Sequence, residues 1–266
     1  MRRSLRGCLL SLLVGVTISG CAARLFVPPT EVGQVEPAAS TMWQEVAQPC
    51  LAAREFVAEV SIRGWVGVDR ERISRTLSGA ATRDDSLYLD LTFFGRTMLQ
   101  MAAREGAGVF YLPREARVLR ASTRDIVEAM TGLRWGGREV LDVLSGCVAP
   151  AGPNVTGVRV GKRVRVDLGP TTQVWLRERG SWRVEAAQVD GLLIDYRESG
   201  DGRWPDRVRV TATSPVPLDL TFTVARQQVN IGLPPATFVL DVPPGTTPLT
   251  LEELRAMVPL RGESSR

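Results

Sequence analysis

In residues 86–101 apolar and polar side chains alternate, and this period of two most narrows what the chain can fold into. Leu87, Leu89, Leu91 and Phe93 fall on one face while Tyr88, Asp90 and Thr92 fall on the other. Successive side chains of a β-strand point to opposite faces, so the run reads as an antiparallel strand with one greasy face and one wetted face. Phe94-Gly95-Arg96 turns the chain, and Met98, Leu99 and Met101 make the returning arm of a hairpin. Turn residues are ordinarily polar. Two aromatic residues at the tip imply that this sheet handles something oily.

The same pattern recurs along the chain. Phe56, Ala58, Val60, Ile62, Gly64 and Val66 alternate with Glu59, Ser61 and Arg63, and Ile73, Leu77 and Ala81 give the partner strand. Strands follow at 109–112 and 118–119. Later, Val158 and Val160 face Val164, Val166 and Leu168 across Gly161-Lys162, and segments 174–176, 182–189, 192–196, 208–212, 218–224 and 238–242 continue the series. Helices interrupt it. Residues 41–54 read as a helix with Thr41 as N-cap, interrupted at Pro49; Ser122 or Thr123 caps a second, carrying Ile126, Val127 and Met130. A third runs from Gly137 through Val140, Leu141 and Leu144 to a stop at Gly146, and Thr250 opens a last short one through Leu254. The expected fold class is mainly β with a few helices (α+β): one large curved antiparallel sheet, solvated outside, apolar inside and covered by the helices.

Arg2, Arg3 and Arg6 precede an apolar run from Cys8 to Ile18 that is too short to span a bilayer stably, the form of an export signal. It ends in Ile18-Ser19-Gly20-Cys21, which resembles the bacterial lipobox. That resemblance implies removal of residues 1–20 and triacylation of Cys21; the alternative is an ordinary signal peptide with a chance cysteine. Ala22 stands where aspartate would, and by resemblance to the enterobacterial sorting rule this implies the outer membrane, at its periplasmic face. Residues 21–41, with Pro28, Pro29 and Pro37, read as the lipidated cysteine and a flexible tether, the stretch from Arg24 to Thr41 reaching roughly 55 Å extended or about 25 Å as a coil. Residues 42–258 form the expected folded domain, and 259–266 a disordered tail.

Three of the 33 basic residues and none of the 29 acidic ones lie in the leader, so the mature chain is nearly neutral and carries no signature of a nucleic-acid binder. The chain has no histidine. Ser-His-Asp and Cys-His nucleophile systems and most zinc sites therefore lack their base or ligand, and no enzyme, metal or cofactor is expected. The stretch from Gly157 to Arg163 is one residue short of a phosphate loop and has arginine where magnesium needs a hydroxyl, so it reads as a hairpin turn. Asp84-Asp85 sits in a turn and Glu252-Glu253 in a helix's first turn, where acids suit the dipole. The Asn154-Val155-Thr156 sequon means little in a bacterial lipoprotein. Cys50 and Cys147 remain after Cys8 is removed and Cys21 acylated; a disulfide and two buried thiols are both open.

Residues 89–101, the run Gly108-Val-Phe-Tyr-Leu112, the helical segment 122–133 and Trp204-Pro-Asp-Arg-Val-Arg-Val210 together resemble the LolA/LolB-like lipoprotein carriers and acceptors, over roughly residues 55–242. The resemblance implies an unclosed antiparallel half-barrel with a helical lid over a cavity for the acyl chains of lipoproteins or lipids. The acceptor branch is itself lipid-anchored and receives cargo from a periplasmic carrier protein; its apolar loop meets the membrane, a role that falls here on Phe93, Phe94 and Gly95. The alternative leaves Phe93 on the inner face with Phe94 closing the hairpin. The cavity is expected at Val60, Ile62, Leu77, Leu89, Leu91, Leu99, Met101, Ile126, Met130 and Leu141, in a monomer that takes part in lipoprotein localisation. A fully packed core in a structural envelope lipoprotein is the alternative, since alternation predicts burial and says nothing of emptiness.

Overall fold

The computed structural model describes residues 25–147, 155–197 and 204–257. Its first half runs β1 (Gln34–Val35), α1 (Ala39–Ala52), β2 (Glu55–Val66), β3 (Glu71–Thr82), β4 (Leu87–Phe93), β5 (Arg96–Arg104), β6 (Ala107–Leu112), β7 (Arg117–Ser122), α2 (Thr123–Thr131) and α3 (Gly137–Leu144). The second half runs β8 (Thr156–Val160), β9 (Arg163–Asp167), β10 (Thr172–Arg179), β11 (Ser181–Val189), β12 (Leu192–Arg197), β13 (Arg207–Ala212), β14 (Leu218–Val229), a 3-10 turn at Pro235–Phe238, β15 (Thr247–Pro248) and α4 (Leu251–Met257).

All the described strands belong to one sheet made of two antiparallel meanders, β8 to β14 and β2 to β7. They join where β14 pairs with β2, from Val229 opposite Phe56 to Leu218 opposite Val66. The sheet does not close. Its free edges at β8 and β7 are covered by the two-residue strands β1 and β15, a short-edge device that leaves little ladder open to another chain.

The alternation places the core on one face. Val60, Ile62, Leu77, Leu87, Leu99, Met101, Phe110, Val164, Val166, Ile194, Val208, Leu220 and Phe222 are all buried in one cluster. α1 lies over β8, β9 and β11, α2 over β6 and β7, and α3 over β3, with α4 against α2. The helices reach the sheet where glycine lets them. A Cβ on Gly157 would stand 2.2 Å from the Ala39 Cβ, so only glycine admits the start of α1 against β8.

Several expectations are corrected. α1 begins at Ala39, two residues before Thr41, with Ala38 as a cap that makes no side-chain hydrogen bond. Pro49 lies within α1 and does not end it; the carbonyl left without a donor belongs to exposed Glu45, where water can serve. Residues 25–41 are not a free tether in their described part. Phe26 is buried on the outer face with Trp175 and Ala186, and Gln34 and Val35 pair with β8. Residues 238–242 form no strand. They belong to a strap from Asn230 to Leu249 that crosses β4 and β5, where Phe238 is buried along with Ala80, Ala102, Tyr111 and Val118 on the face away from the core. Apolar burial there looked like strand periodicity because two layers sandwich the sheet. Residues 1–20, Cys21, Asn154 and 259–266 lie outside the described residues.

Candidate functional site

Between the concave face of the sheet and the helices lies an apolar pocket of about 70 Å³. The sheet contributes Val60, Ile62, Leu77, Gly79, Leu87, Leu89, Leu99 and Phe222. From above come Val127, Met130 and Thr131 of α2, Val140 and Leu144 of α3, and Leu133 and Trp135 of the connector between them. The one hydroxyl among them, that of Thr131, donates to Val127 O at 2.8 Å, so it offers nothing polar to a ligand.

Local rules aim the connector inward. Ser122 caps α2 by accepting the Asp125 N–H at 3.2 Å, and Gly132 ends it with φ +75°, a left-handed turn that glycine makes without strain. The Leu133 N–H donates to the Thr131 hydroxyl at 3.1 Å, and the Gly136 N–H to the Glu139 carboxylate at 2.8 Å. Arg134 stays outside, held by Asp125 at 2.9 Å and Glu128 at 2.7 Å. The Ser122 hydroxyl, with Arg134, holds the Asp125 carboxyl below its ordinary range. Residues on either side of Arg134 therefore point the other way. Leu133 and Trp135 are buried, and the Trp135 indole meets Phe222.

Six of the ten expected cavity residues line this pocket: Val60, Ile62, Leu77, Leu89, Leu99 and Met130. The other four are corrected. Leu91, Met101, Ile126 and Leu141 are buried but outside it; Met101, Ile126 and Leu141 are wholly enclosed in packed core. A Cβ on Gly108 would lie 2.8 Å from Ile126 Cδ1, and 3.4 Å from Met101 Cε, which shows how closely α2 meets β6 there. Leu87 and Val127 shared the periodic faces already recognised. Leu133 and Trp135 sit in an aperiodic connector and gave no signal.

Cys50 is disulfide-bonded to Cys147, with Cα atoms 5.2 Å apart, tying the last turn of α1 to a residue two positions beyond the α3 cap. Arg83 reinforces the junction: its guanidinium donates to Cys50 O at 3.0 Å and Ala53 O at 2.9 Å and lies 3.1 Å from Asp142 Oδ1 on α3. Burial pushes the Asp142 carboxyl up to about 6 although Arg83 and Arg138 oppose it. Burial, with Asp142 nearby, also raises the Tyr196 phenol.

At the β4–β5 turn Phe94 is 89% exposed and left-handed at φ +48°, followed by Gly95 at φ +70°. The Phe93 ring, half exposed, packs edge-on against Phe94 with centroids 4.3 Å apart. The register shift between Leu91 and Thr92 leaves Met98 of β5 unpaired, and Phe93 keeps to the side of Leu91, lining a shallow pocket at the sheet's end with Leu91, Met98 and Leu99. The remaining motifs have structural roles. Gly161 turns the β8–β9 hairpin, Asp85 accepts the Arg138 N–H at the start of α3, and Glu253 accepts the Thr250 N–H and pairs with Arg117 at 2.7 Å. Among the described residues no group of carboxylates and cysteines is placed to hold a metal, and no helix is long and apolar enough to cross a membrane.

The fold and pocket define a class: an unclosed antiparallel half-barrel with a helical lid over an apolar interior. No family model matches the chain, and no curated protein does. Among solved structures, it is similar in outline to an outer membrane lipoprotein-sorting protein domain from Vibrio parahaemolyticus, at 12% identity over 73% of this chain and 94% of that one, TM-score 0.47. A LolA superfamily protein from Nitrosomonas europaea is similar at 11% identity over 76% of this chain and 97% of that one, TM-score 0.46.

Proposed function

We propose that this chain is an outer-membrane lipoprotein, anchored through Cys21, that takes acyl chains of lipoproteins or lipids beneath its helical lid and acts as an acceptor in lipoprotein localisation, without a chemical step. The observation that carries the reading is the pocket itself: hydrocarbon and aromatic side chains line it, with its one hydroxyl already bonded internally. A site with those walls discriminates by apolar burial, at about 0.8 kcal/mol per methylene. Phe93, Phe94 and Gly95 serve in this reading as the membrane contact, and a periplasmic carrier as the donor.

In the closed form the pocket, at about 70 Å³, is smaller than the ~150 Å³ cavity that admits a benzene ring. An acyl chain therefore enters only as Leu133 and Trp135 withdraw. Gly132 and Gly136 flank these side chains and offer the backbone freedom for it. The small volume also favours a second reading, a structural envelope lipoprotein with a filled interior. Native mass spectrometry of the unacylated domain with acylated peptide separates the two. Uptake supports the carrier reading, and no bound lipid or peptide at any ratio selects the structural one.

A further inference from the structure

We propose that residues 25–38 are a brace, which turns the lipidated molecule so that the sheet end bearing the turns of Val68, Phe94 and Val216 rests on the bilayer. The inference depends on the proposed acylation of Cys21. Two independent observations meet in it.

The first is the route of the chain. Pro29 and Glu31 lie beside Gly161 and Lys162, at the β8–β9 turn. Three residues earlier, Phe26 is buried against Trp175, ring centroids 5.2 Å apart, with the Arg163 guanidinium 5.5 Å from its ring and its own N–H donating to Asp195 Oδ2 at 3.2 Å. Trp175 stands opposite Ala186, and Ala186 opposite Asp195, so Phe26 is seated midway along β10 to β12. Traced towards its start, the chain leaves the β8–β9 turn and heads for the other end of the strands. Cys21 precedes Phe26 by five residues, a reach of at most roughly 17 Å. Half the length of β10 is about 13 Å. That far end thus lies within the anchor's reach, with little slack beyond it.

The second is what the far end carries. Leu218 pairs with Val66, and Leu193 with Thr211, so the β13–β14, β2–β3 and β11–β12 turns share one end, as does the β4–β5 turn. There Val68 is 86% exposed, Phe94 is 89% exposed and Val216 is exposed too, with Arg70 and Arg96 also exposed in these turns. The opposite end turns through Gly161-Lys162 and Gly180, and the exposed apolar side chains Leu51 and Ile231 there belong to the end of α1 and the strap and not to hairpin tips. Apolar tips flanked by guanidinium groups suit the boundary between acyl chains and phosphate headgroups. The partner is therefore a lipid surface, met in the leaflet that holds the anchor.

The test uses the full chain, exported and lipidated, in vesicles of phosphatidylethanolamine with a minor fraction of phosphatidylglycerol. A polarity-sensitive dye on a non-canonical keto amino acid at Val68 or Lys162 is quenched by headgroup-nitroxide lipid. Quenching should be severalfold stronger at Val68, and Phe26→Ser should collapse the difference. A Gly-Ser insertion before Leu25 that doubles the leash leaves the folded part untouched and should do the same. Equal quenching at both sites in the parent chain, or a difference that survives the insertion, overturns the brace. An N-terminal peptide without acyl mass instead removes the anchor reading, and the brace with it.

Discussion

The Trp135 indole and the Phe222 ring lie 6.1 Å apart, centroid to centroid. Trp135 comes from the lid connector and Phe222 from β14, the strand that joins the two meanders, so this contact sets lid against sheet where the halves meet. It also occupies space that a ligand would need.

Trp135→Ala should open that space. Truncating a buried tryptophan costs about 3–5 kcal/mol, so denaturant unfolding should show a clear loss of stability. Uptake of a fluorescent fatty acid should rise severalfold in the same variant. Reduced stability without increased uptake would show that Trp135 is core and no plug.

The disulfide closes a long stretch, since Cys50 and Cys147 are 97 positions apart. Loss of a link over such a loop removes up to about 4.7 kcal/mol in the chain-entropy model. The double Cys50→Ser, Cys147→Ser variant, or the reduced parent, should unfold at lower denaturant concentration and bind apolar probe faster, because α3 is no longer tied to α1. Equilibrium unfolding with and without reductant, alongside stopped-flow probe binding, checks both parts.

Asp142 gives the lid junction a pH dependence of known sign. Its carboxyl is raised to about 6, chiefly by burial, so the folded chain keeps this proton to a higher pH than the unfolded chain does. The group's contribution to stability is present below about pH 4 and lost as pH rises through about 6, a change on the order of 2 kcal/mol. Asp142→Asn should lack that decline. The difference in melting temperature between parent and variant, followed from about pH 4 to pH 7, reads it free of other titrating groups.

Phe94→Asp should leave the fold intact and weaken association with vesicles. The side chain is almost fully exposed and its backbone is left-handed, a conformation aspartate accepts more readily than phenylalanine. The stability change should stay within about 0.5 kcal/mol. Unchanged vesicle association would show that this tip is no membrane contact.

Much of this was legible from local chemistry. A period of two in β2 to β5 and β8 to β14 shows which side chains share a face, because alternation is a property of the strand itself. Ser122, one of two cap candidates, opens α2 for an equally local reason. Six residues of the pocket followed from those faces. Leu91, Met101, Ile126 and Leu141 share the faces too, yet alternation reports burial only, and whether an apolar position borders a void depends on what packs against it.

The sequence by itself determined the sheet's two faces, its caps and turns, and a chain without the imidazole that common hydrolytic sites require. Only the tertiary structure decided that β14 joins the meanders, that Leu133 and Trp135 line the pocket under the lid, and that Phe26 holds the N-terminal segment against the outer face. Those outcomes rest on contacts between residues far apart in the chain. No local period encodes them, because each depends on the shape of a surface that exists only after the rest has folded.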